Sequence, residues 1–240
     1  IKDDFHLPQL NKYNLEKNAI IMDTSATSGE YKSVPLRWQE LLNHVQASQK
    51  VLGVTDEDNW LLVIPLCHIG GLAILLRSLY NGTRVTLLDK FDEERVLTLI
   101  ENNKVNMLSL VPTMLKRIIH GIHNHALRVL LLSGEYIPNS LVEECLAKKI
   151  PIYKSYGMTE TTSQVTTFCV KSIPQKLESV GRPLPGMQIK INQPDQEGIG
   201  EILLQGPMLM KGYLGQMPLE GFFNTQDIGY LDEDGYLYIL

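Results

Sequence analysis

Five short apolar runs, Trp60 to Ile64, Arg84 to Leu88, Val105 to Val111, Arg128 to Leu132 and Ile150 to Ser155, alternate with helical patterns, and this restricts the fold more than any other feature. Runs of this length, rich in β-branched and apolar residues, are buried strands. The intervening segments carry their apolar residues at helical spacing: Gly71 to Leu79, then Asp92 to Ile100 with Val96, Leu97 and Ile100 on one face. Thr113 to Ile119 follows, and then a segment marked by Leu141, Val142, Cys145 and Leu146. Strands separated by such helices form βαβ units and a parallel sheet. Upstream, Ala19 to Met22 reads as a strand and Pro35 to Val51 as a helix. After about Ser163 the helices give way to turn signals and short strands at Val165 to Val170, Met187 to Ile191, Glu201 to Leu204 and Tyr236 to Leu240. The expected fold class is α/β, a parallel sheet with flanking helices followed by a smaller, mostly antiparallel, barrel-like β part. The expected divisions are 1–18 as a tail, 19–164 as the α/β part and 165–240 as the β-rich part.

In open α/β sheets, ligands sit beyond the carboxyl ends of the strands, so residues there are the first candidates for chemistry. Tyr156-Gly157-Met158-Thr159-Glu160 ends the fifth run. Gly157 permits a turn or close approach, Thr159 offers a hydroxyl to an anion, and Glu160 offers oxygen to a hard cation such as Mg²⁺. A strand-end turn with a solvated carboxylate fits the pentapeptide equally well. Ser133-Gly134-Glu135 ends the fourth run and His68 follows the first, where it could line a cavity or cap the next helix. Arg77 lies nine residues further on. The hydroxyl-rich stretch Thr24, Ser25, Ala26, Thr27, Ser28, Gly29 leads to Lys32, a combination able to wrap phosphate oxygens, although it is not a Walker loop. Asp227 precedes the strand-like run Ile228 to Leu231, where a carboxylate could accept from ribose hydroxyls or serve an ordinary turn.

Composition narrows the partners. A net charge of −5 over 240 residues gives no global basic field for nucleic acid or an anionic membrane. No stretch has the roughly 18 consecutive apolar residues of a membrane span. Cys67, Cys145 and Cys169 form no ligand spacing or disulfide framework, so a reducing, cytoplasmic setting is the simplest expectation. The first residue is Ile1 and Leu240 falls within a strand pattern, which is expected of a segment of a longer protein.

Taken in order, these segments resemble the acyl-adenylate-forming superfamily of acyl-CoA synthetases, adenylation domains and luciferases. The resemblance runs from about Ala19 to Leu240. It rests on the phosphate loop, Pro65-Leu66-Cys67-His68, Tyr156 to Glu160, Gly200-Glu201-Ile202 with Gly212-Tyr213, and Asp227 followed by Asp234-Gly235-Tyr236-Leu237. Within the superfamily the chain is most similar to the o-succinylbenzoate–CoA ligases of menaquinone biosynthesis. That likeness rests on Ile69 to Ser78, Leu108 to Leu115 and Tyr156 to Gln164.

The resemblance implies an ATP-dependent ligase that joins a small carboxylic acid to coenzyme A through an acyl-adenylate, with Mg²⁺; a homo-oligomer is compatible with it. Thr24, Ser25, Thr27, Ser28, Gly29 and Lys32 would hold the β and γ phosphates, Thr159 the α-phosphate and Glu160 the metal. Ser133, Gly134, Glu135 and Tyr156 would frame adenine, Gly157 would belong to the same nucleotide site, and Asp227 would bind the ribose. His68 and Ser163 would border the acid, and Arg77 would meet its second carboxylate. Lys32, Thr159, Glu160 and His68 are the catalytic candidates. The family usually has Gly at Ala26, Pro at Tyr31 and Gly at Gln226, departures that bear on ATP use. It also has a hinged C-terminal domain, so the segment alone is expected to turn over poorly. A ligase for another aryl or medium-chain acid, with Arg77 in solvent, and a non-catalytic nucleotide-binding relative are the alternatives.

Overall fold

The computed structural model describes residues 14–25 and 31–240. Its largest element is a six-stranded sheet of β3 (Asn59–Leu62), β4 (Arg84–Leu87), β5 (Met107–Leu110), β6 (Val129–Leu132), β7 (Ile152–Tyr156) and β8 (Thr166–Cys169), in the order β4-β3-β5-β6-β7-β8. The first five strands of that order are parallel, as the alternation predicts. All four residues of β5 and of β6 are buried, because helices cover both faces. Those helices are α1 (Trp38–Leu52), α2 (Ile69–Asn81), α3 (Glu93–Glu101), α4 (Pro112–Ile118) and α5 (Asn139–Ala147).

Local chemistry fixes their ends. The Asp92 carboxylate accepts from Arg95 N at 3.0 Å at the start of α3, Pro112 opens α4, and Gly82 stops α2 in the left-handed conformation at φ +67°. Val96 and Ile100 of α3, Leu115 and Ile118 of α4, and Leu108 and Leu130 of the sheet meet in one buried core.

Two elements differ from the sequence expectation. Pro35 does not begin a helix; it lies in β2 (Tyr31–Arg37), which pairs antiparallel with β1 (Asn18–Ser25). Val34 and Leu36 are fully buried at a period of two, and this short strand signal merges with the helical one that follows. The turn signals place the segment from Val165 in the β-rich part, yet β8 pairs antiparallel with β7 and closes the large sheet. The turn between them is tight enough to return the chain alongside Tyr156, and the second sheet begins only later. It comprises β9 (Gln188–Asn192), β10 (Gly200–Gln205), β11 (Phe223–Leu231) and β12 (Leu237–Ile239), all antiparallel, in the order β12-β11-β10-β9. Leu184, Met187, Ile202, Leu204 and Leu237 pack with Ala47 of α1 and Val165, so the smaller sheet leans on the larger part. No helix among the described residues is long and apolar enough to cross a membrane.

Candidate active site

The parallel strands bring His68, Ser133-Gly134-Glu135 and Tyr156 to Ser163 to one edge, because each segment follows the carboxyl end of its strand. His68 is exposed and occupies the N-cap position of α2, where its carbonyl accepts from Gly71 N at 3.0 Å and Leu72 N at 3.1 Å while its imidazole makes no capping bond. Gly134 takes φ +88°, and the exposed Glu135 accepts from the Thr113 hydroxyl at 3.3 Å. Ser133 is half-buried beside them.

The turn after β7 is the most constrained part of the edge. Thr162 and Ser163 both adopt left-handed backbone, with φ +58° and +95°. Such conformations cost about 1–3 kcal/mol each and persist only where surroundings enforce them. Here the Thr162 hydroxyl donates to Met208 O at 2.7 Å and Ser163 N to Met158 O at 3.1 Å. Ser163 O then lies against Gly157, where a Cβ would come within 1.6 Å of it. Thr159 and Glu160 form a single 3₁₀ turn inside this frame.

Glu160 is only 9% exposed, and it is not a freely solvated carboxylate. Tyr213 donates to Glu160 Oε1 at 2.9 Å, and the Lys32 ammonium lies over the face of the same ring, 5.0 Å from its centroid. Lys32 sits opposite Thr24 in the hairpin, and the Thr24 hydroxyl donates to its carbonyl at 3.3 Å. Ser25 ends β1. Thr27, Ser28 and Gly29, together with Ala26, lie outside the described residues.

Asp227 was expected ahead of a strand. It lies within β11, at an irregularity where Leu203 opposes Asn224 while Glu201 opposes Ile228. The two additional residues on β11 form a bulge, a device that re-aims a side chain beside a site. The Tyr156 hydroxyl donates to Asp227 Oδ2 at 2.5 Å, so these two side chains form one unit. Burial, and then this bond, raises the Tyr156 phenol pKa, keeping it a donor. Gln226 reaches φ +67° in the bulge, a conformation that glycine adopts without cost. Gln226→Gly should therefore raise stability by up to about 1 kcal/mol, relief of left-handed strain outweighing added unfolded-state entropy. The thermal midpoint checks this, and a fall would show that the Gln226 side chain stabilises the bulge.

Arg77 does not point to solvent. It is 3% exposed, its Nη2 donates to Gln164 Oε1 at 2.7 Å, and its guanidinium lies 5.4 Å from the centre of the Trp60 ring. Burial lowers its pKa to about 9, which leaves it a cation at neutral pH. Among the described residues no carboxylate pairs with it, and its Nε and Nη1 make no hydrogen bond. His44, which no sequence motif marks, is fully buried nearby on α1; among the described residues neither ring nitrogen makes a hydrogen bond of ordinary geometry, and Gln164 is the polar side chain that bears on it. Burial, followed by the charge of Arg77, holds it neutral. Ser48, one turn along, shares the Gln164 carbonyl with Arg77. Helical spacing placed His44 on the buried face of α1, but nothing local marked it as more than packing.

Among the described residues no group of three or more His, Cys, Asp or Glu side chains could hold a metal. Glu160 is a single buried carboxylate, a donor set that suits a magnesium ion taking its remaining oxygens from phosphate and water.

The model of the AMP-binding enzyme family matches residues 2–214. The chain belongs to the AMP-binding enzyme family. The chain is 54% identical over 225 residues to 2-succinylbenzoate–CoA ligase of Lactococcus lactis subsp. lactis (strain IL1403), covering 94% of this chain and 50% of that protein. Among solved structures it is similar to o-succinylbenzoate coenzyme A synthetase (MenE) of Bacillus subtilis in complex with ATP and magnesium ion. That match has a TM-score of 0.88 and 36% identity over 95% of this chain and 50% of that one. The same enzyme with the acyl-adenylate intermediate OSB-AMP gives 0.88 and 36% over 95% and 49%. This AMP-binding chain thus spans about half the length of the relatives it matches.

Proposed function

We propose that the protein carrying this chain is an ATP-dependent acid–CoA ligase that activates o-succinylbenzoate and passes the acyl group to coenzyme A. The observation that carries the choice of acid is Arg77. A buried guanidinium without a carboxylate partner is costly unless an anion joins it, and a dicarboxylic acid keeps one carboxylate free while the other reacts. Its place behind Gln164, next to the adenylate-facing turn, fits an acid whose reacting end lies at that turn. The similarity to ligases of this acid supports the same reading.

In the proposed reaction a carboxylate oxygen attacks the α-phosphorus of ATP and the bond to pyrophosphate breaks. The sulfur of coenzyme A then attacks the acyl carbon and AMP leaves. A free carboxylate is a poor electrophile, and the mixed anhydride supplies the leaving group. The protein's task is positioning and charge neutralisation. Tyr156 and Ser133-Gly134-Glu135 frame adenine, and Asp227, oriented by Tyr156, accepts from the ribose. Gly157 lets the turn pass close to the nucleotide. Thr159 donates to the α-phosphate, while Thr24, Ser25, Thr27, Ser28, Gly29 and Lys32 hold the β and γ phosphates. Glu160 holds Mg²⁺, which offsets phosphate charge when bound. His68 and Ser163 border the acid.

The test incubates the complete protein with ATP, Mg²⁺, coenzyme A and a panel of acids and seeks thioesters by mass spectrometry. The o-succinylbenzoyl thioester should predominate. No thioester with any acid would favour a non-catalytic nucleotide-binding role, and thioester confined to monocarboxylic acids would remove the assignment built on Arg77.

A further inference from the structure

Tyr213 stands between two parts of the site that lie far apart in sequence. Its hydroxyl donates to Glu160 Oε1, and its ring face carries the Lys32 ammonium. The segment around it is fastened on both sides: Met210 N donates to Glu160 O at 2.8 Å, and Leu214 N to Ser33 O at 2.9 Å. The ring packs on a buried cluster containing Val34, Leu36, Leu41 and Met210, so its orientation is set by the core. Among the described residues Lys32 makes no ion pair with Glu160, although both converge on this ring.

We infer that Tyr213 is a positioning residue for the proposed ligase reaction, aiming the Glu160 carboxylate at the metal and holding Lys32 apart from that carboxylate until phosphate arrives. The inference rests on the roles proposed above for Glu160 and Lys32. A carboxylate free to rotate presents either oxygen to a cation; one oxygen fixed by a phenol leaves the other aimed outward. Without the ring, the flexible lysine stem would let its ammonium neutralise Glu160 directly and occupy the position of both ligands. The aromatic face restrains a cation weakly, so phosphate oxygens can draw the ammonium away.

Two variants of the full protein separate the two contacts. Tyr213→Phe keeps the ring and loses the donor; Tyr213→Leu loses both. Calorimetry measures AMP binding, which needs no metal, and ATP binding across a Mg²⁺ titration; Mn²⁺ bound in the presence of ATP is read separately by electron paramagnetic resonance. Tyr213→Phe should raise the metal concentration needed for half-maximal ATP binding roughly 10- to 100-fold, the usual cost of removing a partner of a metal-binding side chain, with AMP affinity unchanged. Tyr213→Leu should add a loss of metal-free ATP affinity that the phenylalanine variant lacks. An unchanged metal requirement in Tyr213→Phe, or equal losses for AMP and for Mg²⁺–ATP in either variant, overturns the inference. Failure of the unaltered protein to bind ATP with Mg²⁺ at all would instead remove the functional reading beneath it.

Discussion

Arg77→Ala should raise the KM for o-succinylbenzoate about 30-fold or more while leaving the KM for ATP within about threefold, because truncating one member of a buried charge pair costs about 2–5 kcal/mol and about 1.4 kcal/mol is tenfold. The guanidinium is held from one side by Gln164 and from another by Trp60, and it has two nitrogens left without acceptors. On the proposed function, the anion for those nitrogens is the second carboxylate of the acid. Arg77→Met separates recognition from architecture. It fills similar volume without a charge, so the unliganded protein should be as stable as the parent or more so, since an unpaired buried cation opposes folding. Steady-state kinetics and thermal unfolding of both variants check this. Equal changes in the two KM values, or none, would end the assignment, and a marked loss of stability in Arg77→Met would make Arg77 a structural cation.

Gly157→Ala should cost about 3 kcal/mol or more and weaken AMP binding at least about tenfold, at the upper end of what one added methyl causes. The new Cβ would lie 1.6 Å from Ser163 O and 2.6 Å from its carbonyl carbon. Both are backbone atoms, and that backbone cannot shift cheaply. It is already left-handed at Thr162 and Ser163 and is fixed through Met158 and Met208. Relief therefore has to come from displacing the turn that carries Thr159 and Glu160. Denaturant unfolding and AMP calorimetry measure the two losses. Parent-like values in both would mean that the close approach is dispensable.

Much of the architecture was legible in the chain because burial leaves a local period. Met107–Leu110 and Val129–Leu132 are apolar throughout, as strands covered on both faces must be, and Asp92 and Pro112 announce the helices they begin. The strand Tyr31–Arg37 escaped because its alternation is short and runs directly into a helix with its own apolar face. Cys169 and its strand were read with the β-rich part because sequence does not state which neighbour a strand pairs with.

The site divides in the same way. Order along the chain was enough to collect Tyr156, Thr159, Glu160, His68, Ser133 and Gly134 at one edge, since parallel βαβ units must send every strand end the same way. The partners of those residues depended on tertiary structure. Tyr156 meets Asp227 across 71 positions, Glu160 meets Tyr213 across 53, and Arg77 meets Gln164 across 87. No periodicity extends that far, so bonds of this kind exist only once the core has brought the elements together. The sequence determined which strand ends share one edge, because parallel βαβ units leave it no choice; the packing of the smaller sheet and of α1 and α2 decided which charges are paired and which are buried without a partner among the described residues.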